Sequence, residues 1–324
     1  MSTRTDFLMA RLFKAFAFLA LLSSGVVGLR ADEGLLLVPR QVADGVYAFI
    51  GAQEEISPAN RGNVVNTGFI VGPDGVIVID TGVNVTHGRA ILAAIRKVTD
   101  KPVALVINTH PHPENVLGNN AFSGTGAPIL ARKETIDAMH ARCKSCYANV
   151  EGILGKSAMA GTEIVIPNLS VSGNGSYTAG GRRIELYHFG WGHTEGDLSV
   201  FDPESGVLFT SDLVYLDRIP YTHEAQIQGW IRSLGELQKI PARRIVPGRG
   251  PVADPLRIGE TYDYLRQLAA MIGKRYDKGV SVIDLLQDPS ADLPQYRGWA
   301  LYPETHPLNI QHFYTELERE EFSK

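Results

Sequence analysis

Three short strings hold the side chains best able to grip a metal ion: THPHPEN at residues 109–115, GHTEGD at 192–197 and TSD at 210–212. His110 and His112 are one residue apart at the end of the apolar run PVALVINT, a placement that lets two imidazoles turn toward one ion. His193 follows a second strand-like run, and Asp212 closes a third. Each stands where a strand runs out, the kind of place where a rigid scaffold presents its binding residues. A lone histidine would read as a hydrogen-bonded structural residue; a close pair with two more candidates reads as a metal centre. His87, His140, His188, His306 and His312 have no such company and read as packing or supporting residues. His223, with Tyr221 two residues before it, lies on a loop after Asp212 that can border a substrate cleft. Aromatic packing is the plainer reading of Tyr221 and of Trp191 beside His193.

The elements that must carry these residues are legible from periodicity. GVYAFIG, VVNTGFIVG and GVIVIDTG read as strands, with Gly72-Pro73-Asp74-Gly75 turning between the last two. Residues 86–98 have apolar positions at helical spacing. PVALVINT reads as a buried strand leading into His110, and Pro113 suits the first position of a helix. PILAR is a further strand, and a helix is expected from about Glu134 to Leu154. In the second half GTEIVIP, RRIELYHFG, DLSVFDPESGVLFTSDLVY and RRIVPGRG read as strands, with a helix near 225–239 before the last. Strand hairpins followed by helix and strand, occurring twice, predict a layered α/β sandwich of two related halves. No low-complexity linker interrupts residues 33–257, which read as one domain. Residues 258–324 read as a C-terminal helical extension whose apolar faces cover it.

The chain has 324 residues, 44% of them hydrophobic and 20% charged, a globular balance that argues against disorder and against multiple membrane spans. The net charge of −4 comes with no Lys/Arg stripe, which excludes nucleic acid as the expected partner. The start differs in kind. Arg4, Arg11 and Lys14 precede the apolar run AFAFLALLSSGVVGL, which stops at Arg30-Ala31-Asp32 and fits a secretory signal over residues 1–31. That run is short of the roughly 20 apolar residues of a membrane span, so an exported, periplasmic mature protein without a span is expected, with an uncleaved N-terminal anchor as the alternative. The two cysteines, Cys143 and Cys146, fall in the helical pattern. Export permits a disulfide, and a local bridge or two buried thiols are both open. No histidine follows Cys146, so covalent haem attachment is excluded.

Taken together, IDTG at Asp80, HPHPENVLGN from His110, GHT at His193, SD at Asp212 and PGRGP around Arg249 resemble the metallo-β-lactamase superfamily over roughly residues 45–252. The family signature runs DTG, HxHxDHxxGN, GHT, SD and PGHGP. The resemblance implies an αββα sandwich of two mixed sheets flanked by helices. It implies a first zinc on His110, His112 and His193, with Asp212 reaching toward a second ion. It also implies a supporting role for Asp80, whose plainer reading is a turn carboxylate capping a helix. The sequence departs from the pattern at three positions, with register fixed by Gly118-Asn119. Glu114 replaces the family's aspartate, Asn115 its third histidine and Arg249 its last. Asn is a weak neutral ligand and Arg offers no lone pair, so one zinc ion is expected instead of two. A guanidinium has the planar fork that matches carboxylates, and Arg249 is expected to pair with Glu114, Asp212 or both where the second ion would sit.

A zinc ion on three histidines resembles hydrolytic sites, in which the metal lowers the pKa of its water to about 7. Glu114 or Asp212 would orient that water or take its proton. The expected activity is hydrolysis of a small ester, thioester or lactone; β-lactams are disfavoured by the incomplete ligand set. The exported form with this loop is similar to the quinoprotein relay system zinc metallohydrolases. That similarity implies an accessory role beside PQQ-dependent dehydrogenases and c-type cytochromes in periplasmic alcohol oxidation. The alternative is a non-catalytic periplasmic binding or accessory protein that keeps the fold.

Overall fold

The computed structural model describes residues 35–322; the segment 1–31 read as a secretory signal lies outside them. Seven strands form the first sheet: β1 (Arg40–Ala43), β2 (Val46–Phe49), β3 (Thr67–Val71), β4 (Val76–Ile79), β5 (Val103–Ile107), β6 (Ile129–Arg132) and β7 (Leu169–Val171), side by side in chain order. The pairs from β1 to β4 are antiparallel and those from β4 to β7 parallel. The second sheet holds β8 (Gly175–Ala179), β9 (Arg182–Tyr187), β10 (Ser199–Asp202), β11 (Val207–Tyr215) and β12 (Arg244–Arg249), antiparallel except for the β11–β12 pair. The helices are α1 (Val85–Val98), α2 (Pro113–Val116), α3 (Lys133–Leu154), α4 (Lys156–Met159), α5 (Ile227–Leu237), α6 (Ile258–Tyr276), α7 (Val282–Gln287) and α8 (Tyr302–Phe322).

The sandwich follows from the period-2 alternation of strand side chains. In β4, Ile77 and Ile79 join Ile70, Leu105, Ile107, Ile184, Leu186, Val200 and Phe209 in the layer between the sheets. Val76 and Val78 point the other way, with Phe69 and Val106, onto Ile91, Ala94 and Ile95 of α1. A strand buried on both faces reads as an unbroken apolar run, which is why VIVI lacks polar alternation. On the outer face of the second sheet, Leu208, Ile245 and Tyr215 meet Trp230, Leu234 and Leu237 of α5. The same core takes Tyr264, Leu265 and Leu268 of α6 and Ile310 and Phe313 of α8. No helix among the described residues is long and apolar enough to cross a membrane.

One sequence expectation is corrected. Residues 161–167 (GTEIVIP) form no strand, and the short β7 follows at Leu169–Val171. The Val165 carbonyl accepts from the Asn119 side chain (2.9 Å), so a loop-to-loop bond takes an acceptor that a ladder would need. Ile164 and Ile166 pack against the α3 cluster instead. Cys143 is buried, Cys146 is half-buried, and both are free thiols.

Candidate metal centre

The site lies at the ends of β4, β5 and β12, in the loop after β9 and within β11, where Asp212 stands three residues before the strand's end instead of closing it as its apolar run suggested. The Asp80 backbone, just past β4, has φ 58°, and Ser211 in β11 has φ 53°. Non-glycine residues are held there only when their surroundings over-determine them, and the bonding at this site does so. Asp80 Oδ1 accepts from the Thr109 backbone N–H (2.8 Å), and Oδ2 accepts from the Thr109 hydroxyl (2.7 Å) and the Asn115 amide (2.9 Å). Asp80 therefore ties the β4 end to the string bearing His110; it does not cap a helix. Close backbone approach explains two glycines. A Cβ on Gly248 would lie 2.0 Å from Asp212 Oδ1, and one on Gly118 would lie 2.0 Å from the Thr81 carbonyl oxygen.

His110, His112, His193 and Asp212 are all buried, and one ligand atom from each lies within 4.8 Å of the others. His112 Nδ1 and His193 Nε2 are 3.2 Å apart. Two nitrogens bound tetrahedrally at 2.0–2.1 Å from zinc would stand about 3.3 Å apart, so the pair already has ligand spacing. His110 Nδ1 meets the hydroxyls of Thr109 and Ser211, each at 3.1 Å, which leaves its buried Nε2 without a hydrogen-bond partner. That nitrogen lies 3.8 Å from Asp212 Oδ2. An orphaned buried nitrogen is costly unless something else occupies its lone pair, and a cation does so. The three histidines fit a metal ion.

Electrostatics agrees. Burial pushes His110 down to about 4 and His193 well below its usual value, so both rings are neutral with a lone pair free at neutral pH. His112 is pulled the other way. Burial lowers it, but the neighbouring carboxylates of Glu224, Glu114 and Asp212 outweigh that. An ion on Nδ1 would compete with that proton.

The position beside this cluster holds a charge network. Arg249, 4% exposed, donates from Nη2 to Glu114 Oε1 (2.7 Å) and Asp212 Oδ2 (2.9 Å), and from Nε to Asp212 Oδ2 (3.2 Å). Its Nη1 donates to the Val64 carbonyl (2.9 Å). The Tyr215 hydroxyl adds a further bond to Asp212 Oδ2 (2.8 Å). Burial alone would raise both carboxyls, but the Arg249 charge holds each below its usual range, Asp212 far below. Asp212 Oδ2, which geometry groups with the histidines, accepts three hydrogen bonds, so the ligand set that remains uncommitted is the three rings. Asn115 turns its amide nitrogen to Asp80, and its buried oxygen has no hydrogen-bond partner.

His223 lies over His112 with ring centroids 5.7 Å apart, and Tyr221 packs on His223 at 4.6 Å. A cavity of about 550 Å³ opens from His223, walled by half-exposed Trp191 on one side and by His312, Glu316 and Arg319 of α8 on the other. Tyr221 stands behind His223, outside the cavity lining. Three residues at the site, Tyr215, Asp197 and Glu224, were missed in the sequence. Tyr215 supports Asp212. Asp197, whose carboxyl burial pushes up to about 7, accepts from the Thr194 N–H (3.0 Å) and hydroxyl (2.7 Å) and pins the loop bearing His193. His188 backs that loop through the Asp197 carbonyl (2.8 Å). Glu224 approaches His112 Nε2 at 3.7 Å and His223 Nε2 at 3.1 Å, and it pairs with Arg142 of α3. The signal for Glu224 was its adjacency to His223; nothing in the string marks which ring its carboxylate faces.

A sequence profile of the Metallo-beta-lactamase superfamily matches residues 60–249. The linear primary-alkylsulfatase of Pseudomonas sp. (strain ATCC 19151) is 22% identical over 75% of this chain, which spans only 53% of that enzyme's length. The metallo-beta-lactamase type 2 of Elizabethkingia meningoseptica is 23% identical over 79% of this chain and 96% of its own. Among solved structures, the metallo-beta-lactamase from Pontibacter korlensis superposes with a TM-score of 0.59 at 22% identity, covering 71% of this chain and 99% of its own. The fold with two mixed sheets is thus shared, and α6 to α8 lie beyond the residues that the family profile matches.

Proposed function

The chain belongs to the metallo-beta-lactamase superfamily, and from that premise we propose that it is a hydrolase working with a single metal ion, zinc by its ligand chemistry. The observation that carries this reading is the convergence of three buried imidazoles beside an arginine. His112 Nδ1 and His193 Nε2 sit at ligand spacing and His110 Nε2 has no other partner, while a guanidinium lies between the two carboxylates of the neighbouring position. An ion on these rings supplies Lewis acidity toward a carbonyl and toward water. Glu114, the more exposed of the two carboxylates, orients water at the cleft face and takes its proton. Asp212 anchors Arg249, whose fixed positive charge helps the site stabilise developing negative charge. Trp191 and His223 flank the substrate's path into the cavity against α8.

The substrate class we propose is a small ester, thioester or lactone, and the N-terminal run read as a secretory signal supports work in the periplasm, beside PQQ-dependent dehydrogenases or c-type cytochromes. The test has two parts. Metal analysis of the purified chain is expected to give one zinc per chain. Turnover of a panel of esters, thioesters, lactones and β-lactams is expected to be lost in His112→Ala. Two tightly held ions would overturn the one-metal reading. The Arg249 network also favours a second reading, a binding protein without turnover, since a guanidinium fills the position where the family resemblance implies a second ion. One zinc, no turnover and measurable affinity for a dehydrogenase or cytochrome would decide for it.

A further inference from the structure

We propose that Glu224 is a positioning residue for the metal: its carboxylate takes the Nε2–H of His112 and keeps the ring's Nδ1 aimed at the ion. The inference rests on the metal reading above. A neutral imidazole has one N–H and one lone pair. The two ends of the His112 ring face different things, Nδ1 meeting His193 Nε2 at 3.2 Å and Nε2 facing the Glu224 carboxylate at 3.7 Å. A lone pair used on the metal side leaves the proton on Nε2. That nitrogen is buried without a hydrogen-bond partner, and Glu224 is the carboxylate it faces.

Glu224 is itself held from three directions. His223 Nε2 stands 3.1 Å from Oε1, the Arg142 guanidinium pairs with Oε2, and the Trp191 indole N–H donates to the Glu224 carbonyl (2.8 Å). Arg142 comes from α3 and Trp191 from the loop bearing His193, so α3 holds the carboxylate while that loop holds the backbone of the same residue. His110 and His193 are placed differently. A hydroxyl pair orders His110, and His193 packs edge-on against Trp230 at 5.1 Å. His112 is the ligand nearest the cleft and the one with a charged carboxylate behind it. Such carboxylate–histidine–metal arrangements fix the tautomer and ring orientation, and their loss weakens metal binding 10–100-fold.

The experiment titrates the metal-free chain with Zn²⁺ against a competing chelator, for wild type, Glu224→Gln, Glu224→Asp and His223→Ala. Far-UV circular dichroism of each metal-free chain establishes that the variants are folded. Glu224→Gln is expected to weaken zinc roughly 10–100-fold, Glu224→Asp to recover part of that, and His223→Ala to change it less than threefold. Cobalt substitution should show an altered visible spectrum in Glu224→Gln and an unaltered one in His223→Ala. Zinc affinity within twofold of wild type in Glu224→Gln would overturn the proposal. So would a drop from two ions to one with the tight site unchanged, since Glu224 and His223 would then be ligands of a separate ion with His112. Failure of wild type to bind zinc at all would refute the metal reading itself, whereas zinc binding without turnover leaves the Glu224 test intact.

Discussion

Replacing Arg249 with Met tests whether the guanidinium is what makes the second metal position habitable without an ion. Met keeps the unbranched apolar stem but ends short of the guanidinium, whose carbon now sits 5.8 Å from the Tyr215 ring centroid, so it removes the charge, its donors and the volume of that group. Asp212 and Glu114 then face each other without their shared cation. Removing one partner of a buried ion pair costs about 3–5 kcal/mol. Two features set this case near the lower end. Asp212 keeps the Tyr215 hydroxyl at 2.8 Å, and Glu114 retains some exposure through which water can reach it. A loss of about 3 kcal/mol, at roughly 2–4 °C per kcal/mol for a domain of this size, lowers the melting temperature by roughly 6–12 °C. The pH dependence is diagnostic. Both carboxyls sit below their usual values in the folded chain, so the pairing adds stability that is present above the unfolded pKa near 4 and is lost as pH falls through the lowered folded values. In Arg249→Met the unpaired carboxyls are free to protonate, so the gap between variant and wild type is widest at pH 7 and narrows toward pH 4. The assay is urea unfolding of metal-free protein across that range. A loss below about 1 kcal/mol at pH 7, or a gap that does not narrow toward acid, would refute the assignment of Arg249 as the counter-charge.

The same geometry yields further expectations. Asn115→His with Arg249→His offers two imidazoles beside Asp212, and zinc per chain is expected to rise from one to two by metal analysis. Gly248→Ala should displace Asp212, because the added Cβ meets Oδ1 at 2.0 Å; a destabilisation of more than about 2 kcal/mol in denaturant unfolding is expected, in the range of severe core strain. Glu316 on α8 is pushed up to about 7 by burial, although it accepts the Ile227 backbone N–H. A carboxyl raised on folding disfavours the folded state as pH climbs from its unfolded value near 4 through 7, so Glu316→Gln should melt above wild type at pH 8 and converge with it near pH 4. Cys143, whose thiol burial pushes up to about 11, should resist thiol reagents at pH 8 in the native protein, while denatured protein titrates two free thiols.

How much of this was legible in the sequence depends on the range of each interaction. The strands around Ile77, Leu105 and Phe209 were readable because a local period encodes which face is buried. His110, His112 and His193 were readable because each follows an apolar strand that runs out before it, whereas Asp212 was found by its motif, since β11 continues past it to Tyr215. The exchange of the family's last histidine for Arg249 could be read as a change of charge, and the structure shows the guanidinium shared between Asp212 and Glu114. Tyr215, Asp197 and Glu224 were not readable. Their roles arise from which loop folds over which: Glu224 lies 112 residues from His112 in the chain yet faces its ring at 3.7 Å. The failed strand at 161–167 has the same origin, since its apolar run was claimed by the α3 cluster and its Val165 carbonyl by Asn119. Tertiary competition for backbone acceptors leaves no trace in a local pattern. A motif therefore locates the ligands, but what tunes them, a carboxylate behind one ring and hydroxyls behind another, is written in pairings that only the folded chain brings together.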